Sequence, residues 1–285
     1  MKKPVSFSWA ADWAAFCVLM AGAATPALSG PVISEIMYHP AHPEGAENPK
    51  AEWIEIHNPD AVAVDLTGWR MDAGVAFTFP AVSLQPGGFL VLAANLDEFR
   101  SEHGGNTIPY TVLGGWTGKL ANGGEAIELV DATGARIDRV EYADEGDWAV
   151  RRRGPDDNGH QGWIWVAGHD GAGSSLELRS AGLSNDHGQN WGSSLEAGGT
   201  PGARNSLAAA NVAPLILDVG HHPEIPRSGD LVRVTARLLD DGASGAVTAR
   251  ARHRVSSANP GAFASSDMRD DGTGGDEIAG DGIFT

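Results

Sequence analysis

The densest run of oxygen ligands in the chain is its last stretch, Asp267-Met268-Arg269-Asp270-Asp271-Gly272, then Asp276-Glu277, then Asp281-Gly282. A hard cation such as Ca²⁺ gathers roughly six to eight oxygens, and glycines between carboxylates let a short loop fold round it. An EF-hand register fails, because with Asp267 first the third position is Arg269 and the twelfth is Ile278. Two readings stay open: a Ca²⁺ loop of another kind, drawn from Asp267, Asp270, Asp271, Asp276 and Asp281, or a solvated acidic turn. His39-Pro40-Ala41-His42 and His221-His222 lack further ligands at transition-metal spacing and read as surface or turn histidines.

Catalytic patterns are missing. No Gly-x-Ser-x-Gly elbow, phosphate-cradling loop, His-Glu-x-x-His or Gly-x-Gly-x-x-Gly occurs anywhere in the 285 residues. Glu52 and Glu55 look like a carboxylate pair, but strand alternation in Glu52-Trp53-Ile54-Glu55-Ile56-His57 puts them on opposite faces, so they cannot share a substrate. Trp148, Trp163, Trp165 and Trp191 gather in one loop-rich stretch; exposed they would stack on sugars, buried they would pack a core. Arg151-Arg152-Arg153, the one basic cluster, reads as a solvated loop.

The elements that position these residues are short strands. Val32 to Tyr38, Glu52 to His57, Val64 to Met71, Ala76 to Phe79, Phe89 to Ala93, Ala126 to Val130 and Ile137 to Tyr142 alternate or run apolar. The Glu52–His57 alternation predicts a half-buried strand, and Pro86-Gly87-Gly88, Asn122-Gly123-Gly124 and Asp131-Ala132-Thr133-Gly134 are turn signals. Helical periodicity is almost absent, so the spacing predicts a β-sandwich over 31–205. Ser174 to Leu178 reads as an edge or closing strand. A small-residue linker, 206–214, leads to further strands at Leu215 to Val219, Leu231 to Leu238 and Val247 to Arg254. These predict a partial second immunoglobulin-like sandwich over 215–285, truncated relative to a finished domain.

The formal charge is −17, and 31–205 holds 25 acidic against 11 basic residues. That balance disfavours nucleic acid and anionic lipid as partners and suits cations or neutral surfaces. Lys2-Lys3, the apolar Trp13–Ala24 run and Ala27-Leu28-Ser29 read as a secretory signal peptide over 1–29. The single cysteine, Cys17, lies inside it, so the mature chain would carry no thiol, disulfide or thiolate metal site. Export without disulfides points to a bacterial source, and no apolar run in the mature chain approaches a membrane span.

Ordered motifs then carry a resemblance. Ile33-Ser34-Glu35-Ile36-Met37-Tyr38-His39-Pro40, Glu52 to Pro59, Val64-Asp65-Leu66-Thr67-Gly68-Trp69, Phe77-Thr78-Phe79-Pro80 and Leu84 to Phe89 together resemble the lamin tail domain family. Leu120 to Leu129, Ser174 to Leu178 and Gly199-Thr200-Pro201-Gly202-Ala203-Arg204-Asn205 look like its secreted bacterial branch, often found beside spore-coat-H-type kinase-like domains. The resemblance implies an all-β, immunoglobulin-like sandwich and a non-catalytic binding or scaffold role, with Glu55 as a sheet-edge or loop-anchoring carboxylate. It leaves two alternatives: the accessory region of a larger kinase-like or hydrolytic enzyme, and a carbohydrate-binding module. The expected partner is a protein or a cell-surface polysaccharide.

Overall fold

The computed structural model describes residues 30–41, 47–227, 229–242, 246–254 and 261–285. The predicted signal peptide with Cys17, and His42, lie outside the described residues. Two sheets face each other. One runs Trp191–Ser193, Leu176–Leu178, Val32–Met37, Trp53–His57, Phe89–Ala93 and Thr111–Gly114, with only the last pair parallel. The other runs Arg136–Ala143, Gly124–Val130, Arg70–Ala73, Val75–Thr78 and Thr117–Gly118. This is an all-β immunoglobulin-like sandwich.

Alternation explains the core. Ile36, Ile54 and Leu92 stand opposite one another across three strands, as do Ile33, Ile56 and Leu90, and they meet Met71, Ile127, Leu129 and Val140 from the other sheet. At roughly 25 cal/mol per Å² of apolar surface removed from water, this layer is the main favourable term in the fold. Asp138, buried between the sheets, accepts from the Ile33 N–H at 2.7 Å and from the Asn185 amide, so the layers are also stitched by hydrogen bonds.

Several predicted elements change shape. The Trp53–His57 strand is buried on both faces, not half-buried, because Trp53 lies under the Leu96–Glu102 helix while Ile54 and Ile56 face the core. That helix escapes periodicity because it has seven residues; Asn95 caps it by accepting from the Asp97 and Glu98 N–H groups. The predicted Val64–Met71 strand breaks in two, since Gly68 takes φ 78° in a turn. Leu176–Leu178 is interior to its sheet rather than an edge, with Trp191–Ser193 beyond it.

After Leu207 a smaller β unit follows: Leu215–His222, Arg233–Leu239 and Ile283–Phe284 in one sheet, Ala249–His253 and Ala264–Met268 in another. Its start packs on the sandwich through Leu183, Leu215 and Leu217, with Gln189 exchanging two hydrogen bonds with the Ile216 backbone at 2.8 and 2.9 Å.

Candidate functional site

Arg151-Arg152-Arg153 is not a loop. It lies in the Val150–Asp157 strand, which pairs with His160–Val166 in a two-stranded arm outside both sheets. Asn158 (φ 52°) and Gly159 (φ 84°) form its two-residue turn, the geometry that Asn-Gly favours between antiparallel strands. Arg151 stands opposite Trp165, and Arg153 opposite Trp163, so all four side chains share one face. The Arg151 and Arg153 guanidinium carbons sit 4.4 and 4.1 Å from the Trp163 ring centroid. Trp163 remains 50% exposed and Trp165 42%. None of the three arginines is seen in an ion pair with a carboxylate among the described residues.

The base of this arm is fixed. His169 Nε2 faces the Trp148 carbonyl at 2.9 Å, so that nitrogen carries the hydrogen, and Nδ1 accepts from the Tyr38 hydroxyl at 2.7 Å. Burial pushes the His169 pKa down, in keeping with a neutral ring. His39, expected at the surface or in a turn, is partly exposed and bonds Asp170 at 2.6 Å, and its carbonyl accepts from the Gly171 N–H. Trp148 and Trp191 pack 5.9 Å apart at the same base. The four clustered tryptophans therefore divide: two hold the arm and two face solvent.

Glu35 is the centre of a second arrangement. Its register partners are Glu55 on one neighbouring strand and Glu177 on the other, a row of three fully buried carboxyls on one face. Like charges directly opposite repel, and burial removes the water that would soften this. The segment 199–207 supplies the donors: Thr200 N–H to Glu35 at 2.8 Å, Gly202 N–H to Glu55 at 2.6 Å, Ser206 hydroxyl to Glu177 at 2.7 Å and Leu207 N–H to Glu177 at 2.9 Å. Ser34 and Ser175 donate their hydroxyls to Glu55 and Glu35. Thr200 Oγ1 lies 3.2 Å from Glu35 and 2.9 Å from Glu177, and one hydroxyl hydrogen cannot serve both. Burial raises Glu35 to about 7 and pushes Glu55 well above the carboxylate range, so these two hold protons into the neutral range. Glu55 is thus a loop anchor in a central strand and not a sheet-edge residue. Glu52 points the other way and accepts from the Leu120 N–H at 2.8 Å, as alternation requires.

Of the five predicted Ca²⁺ ligands the fold gathers three: one oxygen from each of Asp270, Asp276 and Asp281 lies within 4.8 Å of the others. Asp270 accepts from the Gly280, Asp281 and Gly282 N–H groups, and Asp276 from Gly272 N–H at 2.6 Å. Asp267 and Asp271 are drawn away, Asp267 to Arg250 at 2.7 Å and Asp271 to Arg269 at 3.3 Å.

Sequence reasoning missed the arm and the Glu177–Glu35–Glu55 row. The arm had a readable signal, Arg-x-Arg and Trp-x-Trp alternation flanking Asp157-Asn158-Gly159. The row had none, since it depends on strand register between residues far apart in the chain. Compared with models of known families, residues 24–144 match the Lamin Tail Domain. No curated protein matches the chain. The matched span holds Glu35 and Glu55; Glu177, the arm and the 199–207 segment lie beyond it.

The row has a definite pH signature. Glu35, Glu55 and Glu52 all have folded pKa values above their unfolded ones, so the native state keeps protons that the unfolded chain releases above about pH 4.5. The stabilisation from Glu35 and Glu52 is full below that pH and is lost as pH rises through about 7 and about 8, and Glu55, raised further by burial and the neighbouring Glu35, acts in the same direction. Calorimetric melting should therefore give a midpoint higher at pH 5.5 than at pH 8.5 by on the order of 5 °C, and Glu35→Gln should flatten that slope. Gly202 has φ 77°, and a side chain there would run into the Tyr110 ring. Gly202→Ala is expected to strip hydrogen-exchange protection from the Thr200, Gly202 and Leu207 amides, whereas Gly123→Ala, with open space around it, leaves them protected.

Proposed function

We propose, from the match of residues 24–144 to the lamin tail domain family, that the chain is a secreted or cell-surface, non-catalytic binding module whose contact surface is the 150–166 arm. The observation that carries this reading is the arm's face: Arg151 and Arg153, seen in no ion pair with a carboxylate among the described residues, beside two half-exposed indoles, on a chain of net charge −17. Surface arginines in so acidic a protein would ordinarily find carboxylates, and aromatic and Arg side chains together are the types enriched where proteins bind. The anchored base supports the same reading, because a contact surface held by His169, Tyr38 and Trp148 loses little freedom on binding.

The non-catalytic part is supported by what the polar groups already do. Both His169 nitrogens are engaged, and the buried glutamates are capped by the 199–207 segment, so neither offers a free acid or base to a substrate. Export is supported by the Lys2-Lys3, apolar and Ala27-Leu28-Ser29 pattern, and a bacterial source by the lack of cysteine after it. Among the described residues no helix is long and apolar enough to cross a membrane. Ca²⁺ is the ion proposed for Asp270, Asp276 and Asp281, an all-oxygen set suited to a hard cation.

Two measurements test these readings. Purified full chain should sediment with isolated bacterial envelopes, and a chain whose residues 151–165 are replaced by a short Gly-Ser turn should stay in the supernatant while melting as the parent does; equal sedimentation of both removes the arm from binding. Millimolar Ca²⁺ should raise the melting midpoint of the parent and leave Asp276→Asn unmoved; absence of heat and of any shift in the parent rejects the ion.

A further inference from the structure

We propose that the Arg151, Arg153, Trp163 and Trp165 face of the arm is a carbohydrate site for uronate-bearing polysaccharide, in which the two guanidiniums hold a sugar carboxylate and Trp165 carries a pyranose ring. The inference rests on the arm being the contact surface and names what it contacts.

The two guanidiniums are held over one ring, 4.4 and 4.1 Å from its centroid, so less rotamer freedom remains to be lost when an anion arrives. A guanidinium fork matches a carboxylate, and two forks at neighbouring positions match a single carboxylate approached from both sides. The guanidiniums stack on the Trp163 ring, whereas Trp165, 42% exposed, has no cation over it among the described residues and serves as the open platform. It sits two residues along the same strand face, roughly 7 Å away, about the reach of one sugar ring. An indole presents an apolar face to the C–H face of a pyranose while the sugar hydroxyls stay in water.

Charge decides against denser anions. The sandwich that bears the arm is acidic, but beyond about 8 Å its field is screened at physiological salt. A chain with one carboxylate per sugar or two places few charges near that acidic surface. Duplex DNA, with one charge per about 1.7 Å, places many and would need more than three arginines to offset the repulsion. A peptide strand added to the Val150–Asp157 edge of the arm is disfavoured too. Register shifts between Arg153 and Asp156, and Pro155 there has no N–H to give an added strand. A polysaccharide needs no backbone ladder.

The test is affinity electrophoresis of the full chain through gels containing polygalacturonate, alginate or hyaluronan, with fully methyl-esterified polygalacturonate and duplex DNA as controls. At least one uronate polymer should retard the chain and quench its tryptophan fluorescence, with affinity roughly tenfold above that for the ester and for DNA. Trp165→Ala and Arg151→Gln/Arg153→Gln should each weaken it roughly tenfold without moving the melting midpoint, since these side chains are exposed. Oligogalacturonate added to the unmutated chain should restore free migration, a readout that needs no variant to fold. Retardation by none of the three polymers, equal retardation by the ester or DNA, or undiminished binding by both variants overturns the assignment. If the polymers fail while arm-dependent envelope sedimentation persists, the ligand class is wrong and the arm remains the contact surface.

Discussion

Three carboxyls cannot all be charged in one buried row, and much of this structure follows from how Glu177, Glu35 and Glu55 avoid it. Each stands opposite the next across adjacent strands, on a face closed to bulk solvent. Two remedies act together. Glu35 and Glu55 hold protons into the neutral range, and N–H and O–H donors from 199–207 serve the lone pairs of the row. Thr200 reaches Glu35 across 165 residues of sequence, so satisfying the row also fixes where the chain returns to its first strand. Gly199 and Gly202 are required for this return, because a side chain at either would collide with Glu35 and Ser175 or with Tyr110.

The same constraint gives the arm its footing. Once Leu176–Leu178 is paired with Val32–Met37 through the Glu35–Glu177 register, residues 39 and 170 come side by side and Tyr38 meets His169. The hairpin between Trp148 and His169 then leaves the sandwich at a fixed point. Rigidity at the base and exposure at the tip are two results of one packing arrangement, and rigid placement is what lets a few exposed side chains bind with little entropic loss.

The sandwich was legible because its signals are local. Alternation in Glu52 to His57, the Asn58-Pro59 stop and the Pro86-Gly87-Gly88 turn each act within a few residues, and Gly87 does take φ 64°. What was not legible depends on distant pairing or on elements too short for a period. Alternation in Trp53–His57 predicts a half-buried strand because Glu55 and His57 share a face, yet on that face Trp53 is covered by 96–102 and Glu55 by 199–207, a fact no alternation encodes. The seven-residue helix gives fewer than two full turns to read, although Asn95 followed by Asp97 and Glu98 was a capping signal in plain view. Among the acidic tail residues, composition marked five aspartates alike; only the arginines at 250 and 269, which claim Asp267 and Asp271, separate them from the three that converge.

The family match and the interactions that complete the fold cover different spans. Residues 24–144 match the lamin tail domain, but Glu35 and Glu55, both inside that span, draw donors from 175, 200 and 202, all outside it, besides the Ser34 hydroxyl within it. A buried carboxyl without donors is costly, so the matched span by itself would leave the row open to water or force those side chains outward. The cooperative unit is therefore larger than the match. It runs from the first strand through Leu207, whose N–H closes the Glu177 end of the row, and the arm is an insertion within that unit rather than an appendage to it.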